Sequence, residues 1–204
     1  MLPKLAALYA PVLAAQIVAL WPAMPTPSTL AAQVEQETCV SLTSKGCWNP
    51  KTELKTSREY GFGLGQLTVT PKFNNFEAAK GWDKSLRGWK WEDRFDPKMQ
   101  LAALVAYDRN LFRSISFAAT PEDRLQFTFS AYNGGLGGVI NDRHVCMATK
   151  GCDPGKWFGN VELTSLKART AVKGYGQSFY QINRGYVRSI WFDRRQRYLF
   201  MDTK

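Results

Sequence analysis

The carboxylates around position 37 are the residues best suited to do chemistry in this chain of 204 residues. Leu30, Val34 and Glu37 follow one another at i, i+4 and i+7, which puts them on one face of a helix. Glu35 is expected to point about 140° away from that face. A carboxyl on an apolar face loses hydration, which raises its pKa and leaves a proton for general acid catalysis. The spacing equally allows Glu37 to turn back to solvent at the helix end, beside Cys39.

The cysteines form two local pairs, Cys39 with Cys47 and Cys146 with Cys152. Their C-x7-C and C-x5-C spacings match no zinc-binding pattern, and the single histidine, His144, adds little ligand capacity. Two local disulfides are therefore predicted, with four reduced thiols as the alternative, and neither a metal nor a cofactor is expected. Disulfides persist in oxidising compartments, so this pairing predicts a protein that works outside the cytoplasm.

Charge and composition limit the classes of function. Apolar residues make up 45% of the chain and charged residues 22%, a globular balance that argues against disorder, collagen or a pure coiled coil. The net charge is +10, and residues 156–204 hold +7 of it. A basic face favours an anionic partner such as nucleic acid, phospholipid or a cell-envelope polymer, although a solvated surface is the alternative. Aromatic residues are interleaved with these charges, which is typical of folded helix surface, so no nucleic-acid partner is expected.

The first 25 residues allow two interpretations. Residues 5–21 are mostly apolar, but 17 residues interrupted by Pro11 and Gln16 are marginal for a membrane span. A signal peptide fits weakly, because one lysine precedes the stretch and no clear cleavage site follows it, so the export route stays open. A helix of the domain itself is the competing interpretation. Contact with a membrane is expected only if residues 5–21 act as a signal or anchor.

The elements that must position these residues are mainly helical. Thr26 and Pro27 predict the start of the helix that carries Glu37. Further helices are predicted from Asp96-Pro97 to Ile115, from Thr120 to Asn133-Gly134-Gly135, and over residues 178–192. A loop bounded by Cys146 and Cys152 is predicted after the helix that ends at Asn133-Gly134-Gly135. Residues 40–70 lack helical periodicity. The fold class is therefore predicted as α+β, mainly α, in a single domain over residues 1–204, with a small sheet or loop region near residues 55–70.

Four segments occur in an order that is similar to a known family. They are Glu37-Thr38, the stretch Ser57–Gln66 (SREYGFGLGQ), the stretch Ala131–Val139 (AYNGGLGGV) and Tyr186-Val187. These resemble, in order, the E-S, S-x-x-G-A-x-G-L-M-Q, A-Y-N-A-G and Y-V motifs of soluble lytic transglycosylases, which belong to the lysozyme-like superfamily with the goose-type lysozymes. The resemblance covers roughly residues 26–192, and its phrases look most like bacteriophage or prophage endolysins. Asp96-Pro97 also resembles the family's D-P-x-x-N-I helix, with Gln100 in the place of the Asn.

The resemblance implies a lysozyme-like fold and cleavage of the β-1,4 bond between N-acetylmuramic acid and N-acetylglucosamine in peptidoglycan. Glu37 would be the catalytic acid and base, and the product would be a 1,6-anhydro sugar. The action would take place in the periplasm or cell wall, with peptidoglycan glycan strands as the partner and a monomer as the working form. A lysozyme-type hydrolase on the same fold is the alternative, and a non-enzymatic basic binding protein is a more distant one.

The resemblance also assigns roles to other residues. It implies substrate contacts by the motif residues Thr38, Ser57, Gly63, Leu64, Gln66, Tyr132, Asn133 and Tyr186. Glu59, beside Arg58, is the candidate second carboxylate that a hydrolase would need. The chain departs from the family in several places. Thr38 replaces a Ser, Tyr60 and Gly61 replace a Gly-Ala, Gly65 replaces a Met, and the E-T that precedes the late Tyr-Val is not evident. The gap between Glu37 and Gly63 is also extended, by the loop between Cys39 and Cys47.

Overall fold

The computed structural model describes residues 2–167, 169–172 and 176–202. Within that part of the chain lie seven α-helices and one small antiparallel sheet, which confirms an α+β, mainly α, fold. The helices are α1 (Ala6–Leu20), α2 (Pro27–Thr38), α3 (Asn75–Ala79), α4 (Pro97–Ser114), α5 (Pro121–Gly134), α6 (Leu136–Met147) and α7 (Phe179–Arg188). The strands are β1 (Glu53–Lys55), β2 (Tyr60–Phe62) and β3 (Leu67–Val69).

The chain divides into two compact units. Unit 1 holds the described residues up to Tyr107 and from Phe192 onward, and unit 2 holds Asp108–Trp191. The division falls within α4, so no loop or linker marks it. The expectation of a single lysozyme-like domain stays a prediction.

Unit 1 is built on an apolar cluster between the sheet and α4. Phe62 and Leu67 from the strands pack against Phe76 of α3 and against the alanine face of α4, which presents Ala102, Ala103 and Ala106. The strands pair in the order β1-β2-β3, with Gly61 opposite both Leu54 and Thr68. The sheet therefore lies where residues 55–70 were expected to form a sheet or loop.

The helix starts follow the predicted capping signals. α2 begins with Thr26 at the N-cap and Pro27 at the first position, where the missing proline N–H costs no hydrogen bond. α5 begins at Pro121, and the Thr120 hydroxyl accepts a hydrogen bond from the Asp123 amide. Gly135 ends α5 with a φ of 80°. These bounds confirm the helices predicted around Thr26, Asp96-Pro97 and Thr120.

Between Gly135 and the loop bounded by Cys146 and Cys152, the structure has a helix that the sequence analysis did not predict. Residues Leu136–Met147 form helix α6, whose inner side is made by Val139, Asp142 and Cys146. The Gly137-Gly138 pair lowers intrinsic helix propensity, so the sequence gives little local signal for this helix. Packing of this buried side within unit 2 outweighs that local cost.

Helix α1 packs as part of unit 1, burying Ala6, Ala10, Leu13 and Ile17. The interpretation of residues 5–21 as a helix of the domain is consistent with this packing. Among the described residues, no helix combines the length and the apolar character needed to cross a bilayer.

Both disulfides form as predicted. Cys39 is bonded to Cys47, and Cys146 to Cys152. The first loop begins one residue after the end of α2, whereas the second closes the end of α6. Each bridge therefore fixes the C-terminal end of one helix.

Non-reducing peptide mapping of protein from an oxidising compartment should recover only these two cysteine pairings. Replacing Cys39 and Cys47 together by serine should lower the free energy of unfolding by about 2–3 kcal/mol, because a short closed loop no longer restricts the unfolded chain. The variant with serine at both Cys146 and Cys152 is the matched control, because it removes a disulfide of similar loop length from unit 2 instead of unit 1. Four free thiols in the mapping experiment would contradict the assignment.

Candidate functional site

Glu37 lies in the last turn of α2, one residue before its end, and its side chain is half-buried. The helix around it is buried on nearly every side, including the polar residues Ser28, Thr29 and Gln33. Glu37 is thus one of the few residues of α2 that reaches solvent. A partly exposed carboxyl at the end of a rigid helix can meet a substrate while its backbone stays fixed.

Glu35, and not Glu37, has the buried environment that the sequence analysis expected for Glu37. Its side chain is 0% exposed, whereas it was expected to point away from the apolar face. Periodicity along α2 separates Glu35 from that face, but it does not reveal that residues 194–198 bury the other side of the helix as well. The desolvated carboxylate of α2 is therefore Glu35.

The Glu35 carboxylate is held by three side chains from residues 194–198. Arg194 donates to Oε1 at 2.8 Å, and Arg197 donates through Nε to Oε2 at 3.0 Å and through Nη2 to Oε1. The hydroxyl of Tyr198 donates to Oε2 at 2.7 Å. Because both oxygens are bound by cationic or hydroxyl donors, the charge is compensated where water cannot reach it.

This environment keeps Glu35 ionised. Burial raises the pKa of Glu35, but hydrogen bonds from Arg197, Tyr198 and Arg194 outweigh burial and hold the pKa below its ordinary value of 4.5. Burial and the neighbouring Glu35 carboxylate also raise the pKa of Tyr198, so its hydroxyl remains a donor. A carboxylate with a lowered pKa is unsuited to supply a proton, so Glu35 has a structural role.

Thr38 ends α2 with its hydroxyl fully engaged. Its Oγ1 donates to the Val34 carbonyl at 2.6 Å and accepts from the Trp48 amide at 2.9 Å. The indole of Trp48 in turn donates to the Tyr198 hydroxyl at 2.8 Å. The side chain of Thr38 is buried, which favours holding the disulfide loop over the substrate contact expected from the motif.

The glycine-rich motif forms the turn between β2 and β3. Gly63 has a φ of 76°, and a Cβ there would lie 2.4 Å from the side-chain amide carbon of Gln100, so only glycine fits. The Leu64 amide donates to Gln100 Oε1 at 2.9 Å. Gln66 has a φ of 44°, and its Nε2 donates to the Gly63 carbonyl at 2.9 Å. The side chain of Leu64 is 0% exposed, so this turn offers a ligand its backbone and the half-buried side chain of Gln66.

Gln100 is a positioning residue that the sequence did not single out for this role. It is 1% exposed, and its Nε2 donates to the carbonyls of Pro50 and Arg94 at 2.9 and 2.8 Å. Together with the bond from Leu64, these contacts use both amide hydrogens and the amide oxygen. The position was visible in the sequence only as a substitution within the D-P-x-x-N-I-like segment.

The disulfide loop connects the end of α2 to this turn. Gly46 approaches α2 so closely that a Cβ there would lie 3.2 Å from the Thr38 carbonyl oxygen. The Gly46 carbonyl accepts from Thr52 Oγ1 at 2.8 Å, and the Thr52 carbonyl accepts from the Gly63 amide at 2.8 Å. Two of the four sequence motifs are therefore joined by consecutive contacts within unit 1.

Ser57 and Glu59 lie at the hairpin between β1 and β2. Ser57 is exposed and Glu59 is half-buried. The Glu59 amide donates to Thr56 Oγ1 at 3.1 Å, which fixes the backbone of the turn. The same hairpin presents Glu53, whose pKa is lowered chiefly by a hydrogen bond from the Tyr60 hydroxyl. The sheet thus offers two carboxylates, of which the sequence pointed only to Glu59.

The remaining motif residues belong to unit 2. Asn133 is exposed at the end of α5, and Tyr132 beside it is half-buried. Asn183 of α7 donates through Nδ2 to Asn133 Oδ1 at 3.1 Å and to the Ser130 carbonyl at 2.9 Å. Tyr186, 6% exposed, lies further along α7. Asn183 therefore holds the end of α5 by hydrogen bonds. It lies shortly before Tyr186-Val187, where the family has its E-T and this chain does not.

A buried ion pair fixes Asn183 in turn. Arg184 donates to Asn183 Oδ1 at 2.7 Å and pairs with Asp142 of α6 at 2.8 Å. Lys167 also binds Asp142, at 2.8 Å. Three helices of unit 2 thus meet at one polar network, which sets where Asn133 is presented.

Comparison with models of known protein families found no match, and comparison with curated proteins found no significant match.

Replacing Glu35 by glutamine should lower the free energy of unfolding at pH 7 by about 3 kcal/mol, because it leaves two arginines around an uncharged group. The pKa of Glu35 is lowered on folding, so the stabilisation is fully present above pH 4.5 and is lost as the pH falls through the folded pKa. Urea unfolding of both proteins at pH 7 and pH 3 measures the effect.

The difference in the free energy of unfolding between wild type and Glu35→Gln should be smaller at pH 3 than at pH 7, because the stabilisation by the ionised Glu35 falls at low pH. Glu122→Gln is the control, since Glu122 is exposed on α5. Equal stability of wild type and Glu35→Gln at pH 7 would contradict the structural role.

Proposed function

We propose that the protein is a peptidoglycan lytic transglycosylase, with Glu37 as its single catalytic carboxyl. The proposal starts from four motifs that resemble the soluble lytic transglycosylases and occur in the family's order. The observation that carries it is the run of contacts from Thr38 through Gly46 and Thr52 to Gly63. It connects the acid-bearing helix to the glycine-rich turn, which are the two motifs that would act together on a glycan.

Glu37 would act twice in the reaction. As an acid, it gives its proton to the glycosidic oxygen while the bond from that oxygen to C1 of the muramic sugar breaks. As a base, it takes the proton of the C6 hydroxyl of the same sugar while that oxygen bonds to C1. The carboxyl returns to its starting state, the ring closes to the 1,6-anhydro form, and no water is consumed.

The surroundings of Glu37 support this role. The fixed helix lets the carboxyl keep one position through both proton transfers, and orientation of this kind contributes strongly to rate. Gly63 and Leu64 would shape the glycan cleft through their backbone, and Gln66 would supply a polar side chain beside it. The resemblance also assigns substrate contacts to Tyr132, Asn133 and Tyr186, which belong to unit 2.

The two disulfides support a place of action in the periplasm or cell wall, because such bonds persist in oxidising compartments. The net charge of +10 fits an anionic cell-envelope polymer. The partner is therefore the peptidoglycan glycan strand, in line with a phage or prophage endolysin.

A hydrolase is the second candidate, favoured by the carboxylates Glu53 and Glu59 on the sheet. A retaining hydrolase needs a second carboxyl about 5 Å from the acid, and an inverting one needs it about 6.5–9.5 Å away to hold a water. The transglycosylase needs neither, because its substrate supplies the nucleophile.

Glu37→Gln should fold normally and lose lysis of purified sacculi by several orders of magnitude, because both proton transfers are removed. Turbidity loss of the sacculi and circular dichroism of the variant measure the two quantities. Glu122→Gln is the matched control and should keep wild-type lysis. Glu35→Gln is unsuited as a control because it disturbs the buried ion pairs. A folded Glu37→Gln protein with near wild-type lysis would show that Glu37 is not the catalytic acid.

Mass spectrometry of the released muropeptides separates the two reactions. We expect 1,6-anhydromuramic ends, which lack one water and are about 18 Da lighter than hydrolysed ends. Glu59→Gln and Glu53→Gln should each leave the rate nearly unchanged. Reducing muramic ends that disappear in either variant would establish the hydrolase instead.

A further inference from the structure

Helix α1 has an apolar face that the rest of unit 1 does not cover. Residues 5–34 contain no charged side chain, and α1 lies within them. One side of α1 is buried, but Leu8 is 60% and Val18 is 71% exposed. Ala7, Pro11, Ala15 and Ala19 are exposed as well. An extended apolar face of this kind marks an interaction surface.

A pocket of about 540 Å³ opens along this face. We call it the apolar pocket, and its described lining consists only of apolar side chains, among them Leu2, Ala7, Pro11, Val18, Phe200 and Met201. Its size falls within the range of small-molecule sites. The lining suits a hydrocarbon chain, because it offers no side-chain hydrogen-bonding group to orient a polar ligand.

A second pocket, of about 570 Å³, shares Leu2 with the first. We call it the lysine pocket, since Lys4 and Lys45 line it together with the hydroxyl residues Thr43 and Ser44. Both lysines are exposed, and neither forms a salt bridge among the described residues. Two ammonium groups are strong donors for a phosphate oxygen. The Ser44 hydroxyl already donates to the Ser41 carbonyl at 2.8 Å, so the lysines are the main donors of this pocket.

From these adjoining pockets we infer that unit 1 binds an anionic phospholipid at a bilayer surface. An acyl chain occupies the apolar pocket, and the phosphate headgroup lies against Lys4 and Lys45. The exposed face of α1 rests in the interface between headgroups and chains. Charge complementarity favours this partner over an uncharged apolar one, because the cations among the described lining residues, Lys4 and Lys45, both belong to the lysine pocket.

The dimensions of α1 agree with a helix that lies on the membrane. Its 15 residues extend about 22 Å, less than the hydrocarbon core of ~30 Å. Its opposite side is packed into unit 1 through Leu13 and Ile17. The face would therefore hold the folded protein at the bilayer, independently of whether the protein cleaves peptidoglycan.

Co-sedimentation with vesicles tests the inference. The protein should sediment with vesicles of phosphatidylglycerol and phosphatidylcholine, and far less with phosphatidylcholine alone. Added NaCl should weaken binding, because exposed charges are screened.

Val18→Asp, and separately Leu8→Asp, should abolish binding without unfolding the protein, since both side chains are exposed. Lys4→Glu with Lys45→Glu should weaken binding by at least about tenfold.

Leu166→Asp and Lys150→Glu are the matched controls, because both residues are exposed in unit 2. Both should bind as wild type does. Equal binding to both kinds of vesicle, or binding unchanged in Val18→Asp and Leu8→Asp, would overturn the inference. So would a wild-type dimer in sedimentation velocity that Val18→Asp converts to a monomer, because the face would then belong to a second copy.

Discussion

The packing of α2 in unit 1 depends on the hydrogen bonds and ion pairs of the buried Glu35 carboxylate. An ionised group with no exposed surface is strongly destabilising unless donors surround it, and Arg194, Arg197 and Tyr198 provide those donors. The other end of α2 is fixed in the same way, because Asp202 accepts hydrogen bonds from the amide and hydroxyl of Ser28 at 2.8 and 2.7 Å. A carboxylate there also compensates the positive end of the helix dipole. Residues 194–202 thus hold α2 at both ends.

Hydrogen bonds and close backbone contacts connect the end of α2 to the glycine-rich turn of the candidate site. Thr38 has its hydroxyl engaged, Gly46 fits because it lacks a side chain, and Gln100 fixes the glycine turn. The polar side chains nearest to Glu37 in sequence are therefore occupied with structural bonds. This leaves Glu37 as the half-exposed carboxyl of α2, which is the division of roles that a single-acid mechanism requires.

Local signals in the sequence predicted much of the fold but only part of the site. Thr26-Pro27 and Thr120-Pro121 marked helix starts, because capping depends on neighbouring residues. Helix α6 was missed because its glycines disfavour helix locally, while its stability comes from packing. Glu35 was misplaced because periodicity along one helix does not reveal that other elements surround it. Gln100 was missed as a positioning residue since its partners lie up to 50 residues away.

The separation of Glu35 from its partners along the chain has a consequence for how the protein folds. Arg194 and Tyr198 follow Glu35 by 159 and 163 residues. During synthesis, α2 is complete long before these residues leave the ribosome, and its carboxylate cannot be buried until they do. The residues of unit 2 are continuous in sequence, and all of them are synthesised before residues 194–202 of unit 1. Unit 2 can therefore fold while unit 1 still lacks these residues. The ion pairs of Glu35 can therefore form only after residues 194–198 have been synthesised, and a nascent chain that lacks them leaves the Glu35 carboxylate without these donors.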